Sequence, residues 1–478
     1  MRRADEEATK RFAAYRRAGL DRTLLPVSRV ANHGVLWAVV AALLGLTGGR
    51  FGRRAALRGA VSAIATSAIV NGPVKWGVRR RRPEHESRLA KVTGRRRPRT
   101  PSFPSGHAAV AAAFAVGAGM ELPAVAAPLG AVAAGVGAGR VYDGLHYPGD
   151  VAGGAAIGTV VALATRRWWP VAPHHPARIG SRLRHVAAEP SPTGKGLTIV
   201  VNPSAGSGHA LNGSPAEELR QALPDADIVA LAEGDDLGEA LEQAAGEALA
   251  IGVAGGDGSI NTGAAVAQRH DKPLVVVPAG TLNHLARDLG LETVADAIRG
   301  IKEGAAVAVD VGEIDGKPFL NTASFGSYVD LVDARERLER KIGKWPAVFV
   351  ALWRVLRQSE PVLVDLDGRP RRIWMIFIGN CAYHPAGFAP SWRERLDDGQ
   401  LDVRIVDATS PLARTRLLTA VLTGRLGRCR VYQQQLATSL AVRSRQGSLR
   451  LARDGETFDG SEEFTVGKCE KPLLIYRP

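Results

Sequence analysis

The sequence predicts a multidomain fold in which an all-α transmembrane helix bundle precedes a two-lobe domain, the first lobe α/β and the second a β-sandwich. Before residue 168, five segments of about 13–18 residues are rich in Ala, Gly and Val and almost free of charge. Between residues 197 and 307, β-branched runs that end in glycine-rich turns alternate with helical patterns, which indicates an α/β layer. After residue 308 the pattern changes to short β-rich runs separated by turns, which is typical of a sandwich.

The five apolar segments define the predicted bundle. They cover residues 35–47, 56–71, 107–120, 122–139 and 151–165. Each lies at or below the ~20 residues that usually span a bilayer, so a soluble helical bundle with an alanine-rich core is the alternative. We expect membrane helices, because small side chains let helices pack closely in lipid. Residues 1–31 are polar and arginine-rich, without the apolar core of a signal peptide, and are predicted to lie on a membrane surface.

The net charge is unevenly distributed along the 478 residues. Residues 1–195 carry 30 Lys and Arg against 10 Asp and Glu, a balance of +20, whereas residues 196–478 carry 32 against 37, a balance of −5. A nucleic-acid binder with one continuous basic surface would not divide its charge in this way. The three cysteines, Cys381, Cys429 and Cys469, have no CxxC spacing, which argues against a disulfide scaffold or a structural zinc site.

These patterns divide the chain into five parts. Residues 1–31 are a basic lead-in, residues 32–167 the membrane-embedded bundle and residues 168–195 an interfacial linker. Residues 196–307 form the α/β lobe, and residues 308–478 the β-rich lobe. The tryptophans at the start of the linker suit a membrane–water boundary, and its Pro, Gly and Ser content suits a semi-flexible connection.

Three polar motifs interrupt the predicted bundle. They are Lys75 followed by Arg82-Pro83, the run Pro104-Ser105-Gly106-His107, and Arg140 followed by His146 and Asp150. Two guanidinium groups and an ammonium group can clamp a phosphate, and a helix N-terminus can donate N–H groups to it. One histidine can then attack phosphorus while the other protonates the leaving oxygen. Taken singly, a histidine near a helix end is more often a cap, and an arginine run more often an anchor at the membrane edge.

The order and spacing of these motifs resemble the signature of the type 2 phosphatidic acid phosphatase (PAP2) family. The resemblance implies that His146 is the nucleophile and forms a phosphohistidine, that Asp150 orients it, and that His107 is the general acid. It implies no metal cofactor, and a phosphate-binding set of Lys75, Arg82, Ser105, Gly106 and Arg140. One departure is Gly139, where the family often has Ser. The flanking arginines at 79–81 and 95–97 have no place in the signature, and we expect solvated charge near anionic headgroups.

Three glycine-rich loops follow predicted strands of the α/β lobe. They contain Asn202-Pro203 with Gly206 and Gly208, the box Gly255-Gly256-Asp257-Gly258-Ser259, and Pro278 to Asn283 with Thr281. Glycine lets the backbone approach a ligand, and free N–H groups at a helix N-terminus favour an anion. A carboxylate among phosphates, as Asp257 would be, makes sense beside Mg²⁺. Each loop alone is more often a tight turn, but the three in this order predict a phosphate site.

Together these loops resemble the catalytic domain of the diacylglycerol kinase and sphingosine kinase family, over about the last 280 residues. The resemblance implies ATP and Mg²⁺, held by nucleotide-binding residues Asn202, Pro203, Gly206, Gly208, Gly255, Gly256, Asp257, Gly258, Ser259, Thr281 and Asn283. Asp257 would act through Mg²⁺, Glu456 would be the catalytic base, and Asp454 is the second choice for the base. Asp398, with the main-chain carbonyls of Arg395 and Gln400, resembles the family's structural metal loop.

Two positions depart from the kinase pattern. Thr262 stands where many relatives have Glu, and His284 where many have Asp. These departures leave open a phosphatase whose kinase-like lobe senses a lipid or nucleotide, or a kinase for another lipid alcohol such as a sphingoid base. The glycine box is also similar to that of NAD kinases and phosphofructokinases, but the third loop and the phosphatase motifs favour a lipid. A non-enzymatic basic adaptor is the remaining alternative.

The two resemblances imply a bifunctional lipid enzyme of the cell membrane. Its partners would be ATP, diacylglycerol and phosphatidate, with no nucleic acid. If the kinase-like part lies in the cytoplasm, alternation of the five segments puts all three phosphatase motifs on the outer face, and a short basic turn at 50–54 on the inner face. The arginine-rich loop 79–99 then also lies outside, against the positive-inside tendency.

Overall fold

The computed structural model describes residues 5–7, 34–83, 100–180, 182–183, 192–202, 214–280, 283–327, 329, 360–386 and 390–478. The chain divides into two compact units, Met1–Ala172 and Pro173–Pro478.

The first unit is a helix bundle. Its longer helices within the described residues are α1 (Val35–Thr47), α2 (Gly49–Ile69), α3 (Gly106–Glu121), α4 (Ala126–Tyr142) and α5 (Pro148–Ala164). A π-helical turn at Val70–Val74, with a kink at Gly72, and a short turn at Lys75–Gly77 follow α2. Small residues let these helices touch: a Cβ on Gly158 would lie 2.1 Å from the Ala109 carbonyl oxygen. The all-α prediction for this unit is confirmed.

The described helices differ in whether they are long and apolar enough to span a membrane. The stretches Pro123–Tyr142 and Pro148–Arg167 are long and apolar enough to cross a bilayer, while Val35–Thr47 is apolar but shorter. The sequence predicts a short basic turn at 50–54, but this prediction is wrong. Helix α2 already begins at Gly49, because the positive φ of 56° at Gly49 makes the turn and the arginines after it find partners inside the unit.

Those partners form a buried ion network at one end of the bundle. Arg58 and Glu121 are both fully buried and lie 2.6 Å apart, and Arg54 contacts the same carboxylate at 2.7 Å. Both guanidinium groups stack on Trp169, where the chain leaves the unit. Glu121 is the last residue of α3, and His107 lies in its first turn, about 21 Å away at 1.5 Å per residue.

The second unit contains helices and strands in alternation, followed by strands. Its helices within the described residues are α6 (Pro215–Ala222), α7 (Leu237–Glu247), α8 (Asp257–Arg269), α9 (His284–Leu289), α10 (Val294–Glu303) and α11 (Ala413–Leu422). Its strands are β1 (Arg182–Leu183), β2 (Leu197–Val201), β3 (Asp227–Ala230), β4 (Ala250–Gly255), β5 (Leu274–Pro278), β6 (Ala306–Val309), β7 (Gly312–Ile314), β8 (Lys317–Phe319), β9 (Thr322–Gly326), β10 (Val362–Leu366), β11 (Arg369–Asn380), β12 (Tyr383–His384), β13 (Trp392–Arg393), β14 (Leu401–Asp407), β15 (Tyr432–Ala437), β16 (Leu440–Ser444), β17 (Arg450–Arg453), β18 (Glu456–Asp459), β19 (Glu463–Lys468) and β20 (Leu473–Tyr476).

The first sheet of this unit has the described strand order β1-β6-β20-β5-β4-β2-β3. Strands β2, β3, β4 and β5 pair in parallel, as the α/β prediction requires. The sequence assigns all of 308–478 to the second lobe, but β20 crosses back and lies between β5 and β6. Its apolar run fits there because the strands beside it are buried on both faces.

The predicted linker, 168–195, is partly fixed to the second unit. The Ala177 N–H donates to the Asp288 carbonyl at 2.7 Å, and β1 pairs with the edge strand β6. Residues 177–180 and 182–183 are therefore part of the folded unit, because backbone groups of 177, 178 and β1 find partners there. Residues 184–191 lie outside the described residues.

Strands β12 and β13 pair with each other. The remaining strands form an antiparallel, branched sheet in the described order β18-β17-β9-β11-β10-β16-β19-β7-β8, with β14 on β11 and β15 on β14. The β-rich prediction is confirmed, but the strands join in one sheet instead of two. The reason is β11, whose twelve residues are long enough to pair with β9, β10 and β14. Phe325, Ile376, Val403 and Phe464 meet in its core.

Candidate active sites

The histidine site lies at one end of the bundle, where three helices terminate. His107 is the second residue of α3, Arg140 lies in the last turn of α4, and Asp150 in the first turn of α5. His146 lies in the connection between α4 and α5 and is 97% buried. Its Nδ1 is 3.7 Å from Asp150 Oδ2, while its Nε2 is 3.4 Å from Arg82 Nη1. The two ring nitrogens therefore face groups of opposite charge.

Burial controls the protonation of this histidine. Desolvation lowers the pKa of His146, and the positive charges of Arg82 and Arg140 act in the same direction, although Asp150 opposes them. His146 is therefore neutral at neutral pH, which a nucleophile requires.

The carboxylate of Asp150 is fully buried and held on both oxygens. Oδ2 accepts the Tyr147 N–H at 3.0 Å and a short hydrogen bond from the Ser102 hydroxyl. Oδ1 accepts a hydrogen bond from Arg80 Nη1 at 2.8 Å, and Arg80 Nη2 bonds Asp5 at 2.8 Å. The prediction that Arg80 is only solvated charge is wrong: this guanidinium bonds the carboxylate that faces His146 Nδ1.

Most of the predicted phosphate-binding groups converge on the same place. Lys75 Nζ is held by Asn71 Oδ1 at 2.9 Å, and a Cβ on Gly106 would lie 3.7 Å from that ammonium. Ser105 is the N-cap of α3, and its buried hydroxyl has no hydrogen-bond partner among the described residues. A buried donor without a partner, one residue before the glycine that lies near the Lys75 ammonium, fits an anionic ligand.

An apolar cavity of about 620 Å³ opens on this group. At its polar end lie Lys75, Arg82, His107, Arg140 and His146. Its walls come from α1, α2 and α3, with Trp37, Ala41, Ala63, Val110 and Phe114 among the lining residues. The rings of Trp37 and Phe114 pack with their centroids 4.9 Å apart, about two helical turns from His107.

The loop site lies at the carboxyl ends of β2, β4 and β5. Asn202 Nδ2 donates to Ser259 Oγ at 3.0 Å, which joins the first loop to the second. The Asp257 carboxylate accepts the His284 backbone N–H at 2.6 Å, which joins the second loop to the third. A Cβ on Gly280 would lie 2.4 Å from Gly256 Cα. The three loops therefore meet at one sheet edge, where open α/β sheets bind ligands.

The residues around this edge leave room for a nucleotide. Asn202 lies beside a cavity of about 470 Å³ lined by residues 231–235. Asn261, on α8, has a buried side-chain amide with no hydrogen-bond partner among the described residues. An orphaned amide in a helix that begins with the glycine box fits a polar ligand, so the residues present suit a nucleotide.

The two candidates for the catalytic base have different surroundings. Glu456 lines a cavity of about 240 Å³ that also touches Asn261 and Thr262, and its side chain is exposed. Asp454 is buried and accepts the backbone N–H groups of residues 320–322 at 2.7–2.8 Å. Burial raises the pKa of Asp454, and the three N–H donors oppose this shift. Through these three hydrogen bonds Asp454 holds the start of β9 in place. This geometry favours Glu456 as the base.

The predicted metal loop is closed by hydrogen bonds. Asp398 accepts the backbone N–H groups of Ala382 and Gln400, both at 2.9 Å, and the Gln400 carbonyl accepts from Cys381 N–H at 2.9 Å. Nearby, Asp310, Cys381 and Asp398 place ligand atoms within 4.8 Å of one another. This group does not suit Mg²⁺, because burial raises the pKa of the Cys381 thiol to about 12 and the Lys468 ammonium lies 3.2 Å from Asp310. Binding of a metal by Asp398 with the carbonyls of Arg395 and Gln400 stays a prediction.

Comparison with known proteins follows the same division of the chain. The PAP2 superfamily model matches residues 56–173, and the diacylglycerol kinase catalytic domain model matches residues 196–314. The "Probable lipid kinase YegS-like" protein of Pseudomonas fluorescens is 31% identical over 228 residues, which are 45% of this chain and 74% of that protein. The chain belongs to the diacylglycerol kinase catalytic family and carries a PAP2 domain ahead of it.

Other relatives resemble each domain separately. The diacylglycerol kinase of Bacillus subtilis is 30% identical over 202 residues, 40% of this chain and 66% of that protein. A crystal structure of a transmembrane PAP2 type phosphatidylglycerolphosphate phosphatase from Bacillus subtilis covers 34% of this chain and 82% of that one, at 22% identity and a TM-score of 0.27. The chain is thus a fusion of a lipid phosphatase-type domain with a lipid kinase domain, which implies the use of ATP.

Four predicted nucleotide-binding residues of the kinase domain, Pro203, Gly206, Gly208 and Thr281, lie outside the described residues. In the PAP2 domain, Arg80, Ser102 and Asp5 join the site without any signal in the motif spacing. The nearest signal is the arginine run itself, which does not show which of its members turns inward.

Proposed function

We propose that the chain is a membrane enzyme with two opposing activities on lipids. The PAP2 domain removes phosphate from phosphatidate or a related lipid phosphate, and the kinase domain transfers the γ-phosphoryl group of ATP to diacylglycerol. The observation that carries the proposal is the apolar cavity that ends at the histidine site. A lipid phosphate matches such a cavity, because its apolar chain suits the apolar walls and its dianionic headgroup suits the cationic end.

In the proposed phosphatase reaction the two histidines have different roles. His146 attacks phosphorus through Nε2, because its Nδ1 faces Asp150. The phosphorus–oxygen bond to the lipid breaks, and His107 gives its proton to the departing oxygen. Lys75, Arg82 and Arg140 neutralise the phosphoryl oxygens. Water then cleaves the phosphohistidine, with His107 taking the proton from the water. These steps use no metal, so phosphate release should persist in EDTA.

In the kinase domain, chemistry depends mainly on positioning and charge neutralisation. The loops that meet at Asn202, Asp257 and Asn283 would hold the phosphates of ATP, with Asp257 as the carboxylate for Mg²⁺. Glu456 would accept the proton of the lipid hydroxyl. The departure at His284 does not weaken this assignment, because the contact with Asp257 is made by the backbone N–H, which every residue except proline supplies.

The surface of the bundle supports a location in a membrane. Large aliphatic side chains are exposed on its helices, including Leu46 at 84% and Ile64 at 70%. Soluble proteins rarely leave such side chains in contiguous exposed patches. The histidine site and the exit of the chain at Trp169 lie at opposite ends of α3. If the bundle spans the bilayer, the two activities work on opposite faces, and neither consumes the other's product directly.

The kinase proposal is tested with the His146→Ala protein, so that phosphatase activity cannot erase the product. It is incubated with diacylglycerol vesicles, ATP and Mg²⁺, with Asp257→Asn added as the control. We expect labelled phosphatidate that disappears in the control. No label in a protein that still binds ATP would mean that the acceptor is another lipid alcohol or that the domain is a sensor. Phosphate release from phosphatidate by wild type, without ATP, tests the PAP2 domain.

Topology is tested by labelling with a membrane-impermeant maleimide. Single cysteines replace the exposed Trp76, near the histidine site, and Lys471, in the kinase unit, in a Cys429→Ser, Cys469→Ser background. Labelling from opposite sides of sealed vesicles is expected. Labelling of both positions from the same side would refute the proposed arrangement.

A further inference from the structure

Helix α11 and the turn after it carry an unusual combination of side chains. Residues 412–430 contain five arginines, no lysine and no acidic residue, although residues 196–478 as a whole carry a balance of −5. The same stretch exposes Leu412 at 75%, Leu422 at 67%, and also Leu418 and Val421. We call these exposed side chains, with the arginines Arg414, Arg416, Arg425, Arg428 and Arg430, the arginine–leucine surface.

The apolar exposure is not a consequence of poor packing. The inner face of α11 is used, since Ala413 packs with Val406 and Val431 in a core cluster of its own. The exposed leucines project from the opposite face of a helix that is already anchored. In the described part of the chain, no carboxylate pairs with Arg416, Arg425, Arg428 or Arg430. By contrast, Arg443 and Arg445, at the end of β16, have acidic partners.

We propose that the arginine–leucine surface docks the kinase unit on a lipid bilayer that carries anionic headgroups. Cations flanking exposed aliphatic side chains suit the membrane interface, where the leucines enter the acyl boundary and the guanidinium groups meet phosphates. A stable protein interface buries about 800 Å² on each partner, which is more than one ten-residue helix presents. The inference rests on the proposed function in one respect: diacylglycerol lies in the bilayer, so a kinase for it must reach the lipid surface.

Docking is measured without catalysis. The full chain carries Leu422→Cys labelled with an environment-sensitive fluorophore, in the Cys429→Ser, Cys469→Ser background. It is reconstituted into nanodiscs of phosphatidylcholine alone or with phosphatidylglycerol, with no ATP present. We expect a blue shift only in the anionic discs, and its loss at high salt, because the attraction acts within a Debye length.

The Arg425→Gln, Arg428→Gln double variant should lower the docking equilibrium constant roughly thirtyfold, at about 1 kcal/mol for each arginine near an anionic surface. Arg299→Gln with Lys302→Gln removes the same charge from α10, and it should leave the shift intact. Equal fluorescence in both kinds of disc, or equal loss in both double variants, would overturn the proposal. If the blue shift also occurs in detergent, and the protein there has the mass of a dimer, then the surface binds a second copy of the chain. That result would also overturn the proposal.

The kinase rate separates this inference from the proposed function. With dioctanoylglycerol in detergent, where no bilayer is needed, the Arg425→Gln, Arg428→Gln variant should match wild type. With diacylglycerol in anionic nanodiscs it should be slower. A wild type that docks but phosphorylates neither lipid would contradict the proposed function and leave the docking surface in place.

Discussion

Replacing Arg80 by glutamine should slow the phosphatase without weakening substrate binding. Arg80 Nη1 lies 2.8 Å from Asp150 Oδ1, and this carboxylate is fully buried. The substitution leaves Oδ2 bound to Ser102 and Tyr147 but removes the charged donor from Oδ1. The carboxylate can then turn, and it no longer holds the imidazole of His146 in one orientation.

The magnitude follows from the contact that is lost. A hydrogen bond to a charged group contributes about 1.5–3 kcal/mol, and each 1.36 kcal/mol is about tenfold in rate. Part of this free energy is already screened, because Arg80 is 19% exposed. We therefore expect kcat to fall about ten- to a hundredfold. KM should change little, since Arg80 does not line the cavity that holds the substrate.

The assay is phosphate release from phosphatidate in detergent micelles, with ATP omitted so that the kinase is silent. Arg81→Gln is the matched control, because it removes the same charge from an exposed neighbour in the same loop. Arg80→Lys should recover part of the rate, since one ammonium cannot bridge both Asp150 and Asp5 as the guanidinium does. If Arg80→Gln and Arg81→Gln have equal rates at equal thermal stability, the reasoning about Asp150 is refuted.

Three further predictions concern the cavity, the base and the nucleophile. Phe114→Leu should enlarge the cavity and raise the ratio of kcat/KM for dioleoyl phosphatidate to kcat/KM for dioctanoyl phosphatidate. We expect about a fourfold rise for each additional buried methylene, at ~0.8 kcal/mol. An unchanged ratio would show that the lipid chain lies elsewhere. Glu456→Gln should lower the kinase rate about 10²–10⁴-fold with unchanged thermal unfolding, whereas Asp454→Asn should cost about 1–3 kcal/mol of unfolding free energy, and the reverse pattern would exchange their roles. Because burial lowers the pKa of His146, phosphatase kcat/KM should hold steady as pH falls toward about 6.5 and decline only below it, and an acid limb above that pH would contradict a neutral buried nucleophile.

The sequence is informative where function depends on local order. The spacing of Lys75, Arg82, His107 and His146 predicts their meeting, because each lies at or near a helix end and alternation of the helices brings those ends to one side. Likewise, the glycine boxes predict the loop site, because parallel strands end at one edge of a sheet. In both cases the residue type and its position in an element are enough.

Contacts between distant residues are not predictable in this way. Arg80 pairs with Asp150, 70 positions away, and with Asp5, 75 positions away, while the residues on either side of it, Arg79 and Arg81, are exposed. The helix at 50–54 is unpredictable for the same reason. The sequence of these arginines predicts a basic turn, because it does not show that Glu121 lies beside Arg54 and Arg58. Pairing of this kind depends on tertiary packing, which no short window of sequence contains.

The position of β20 also affects the order in which the two domains can fold. When the ribosome has added residue 472, the whole PAP2 domain, the three glycine loops and Glu456 have been synthesised. The sheet beneath the loop site still has a gap at that moment, because β5 and β6 meet only through β20. The bundle can therefore enter the membrane and fold before the nucleotide lobe can close. Deletion of residues 473–476 would remove β20 from this sheet and leave the PAP2 domain unchanged in sequence.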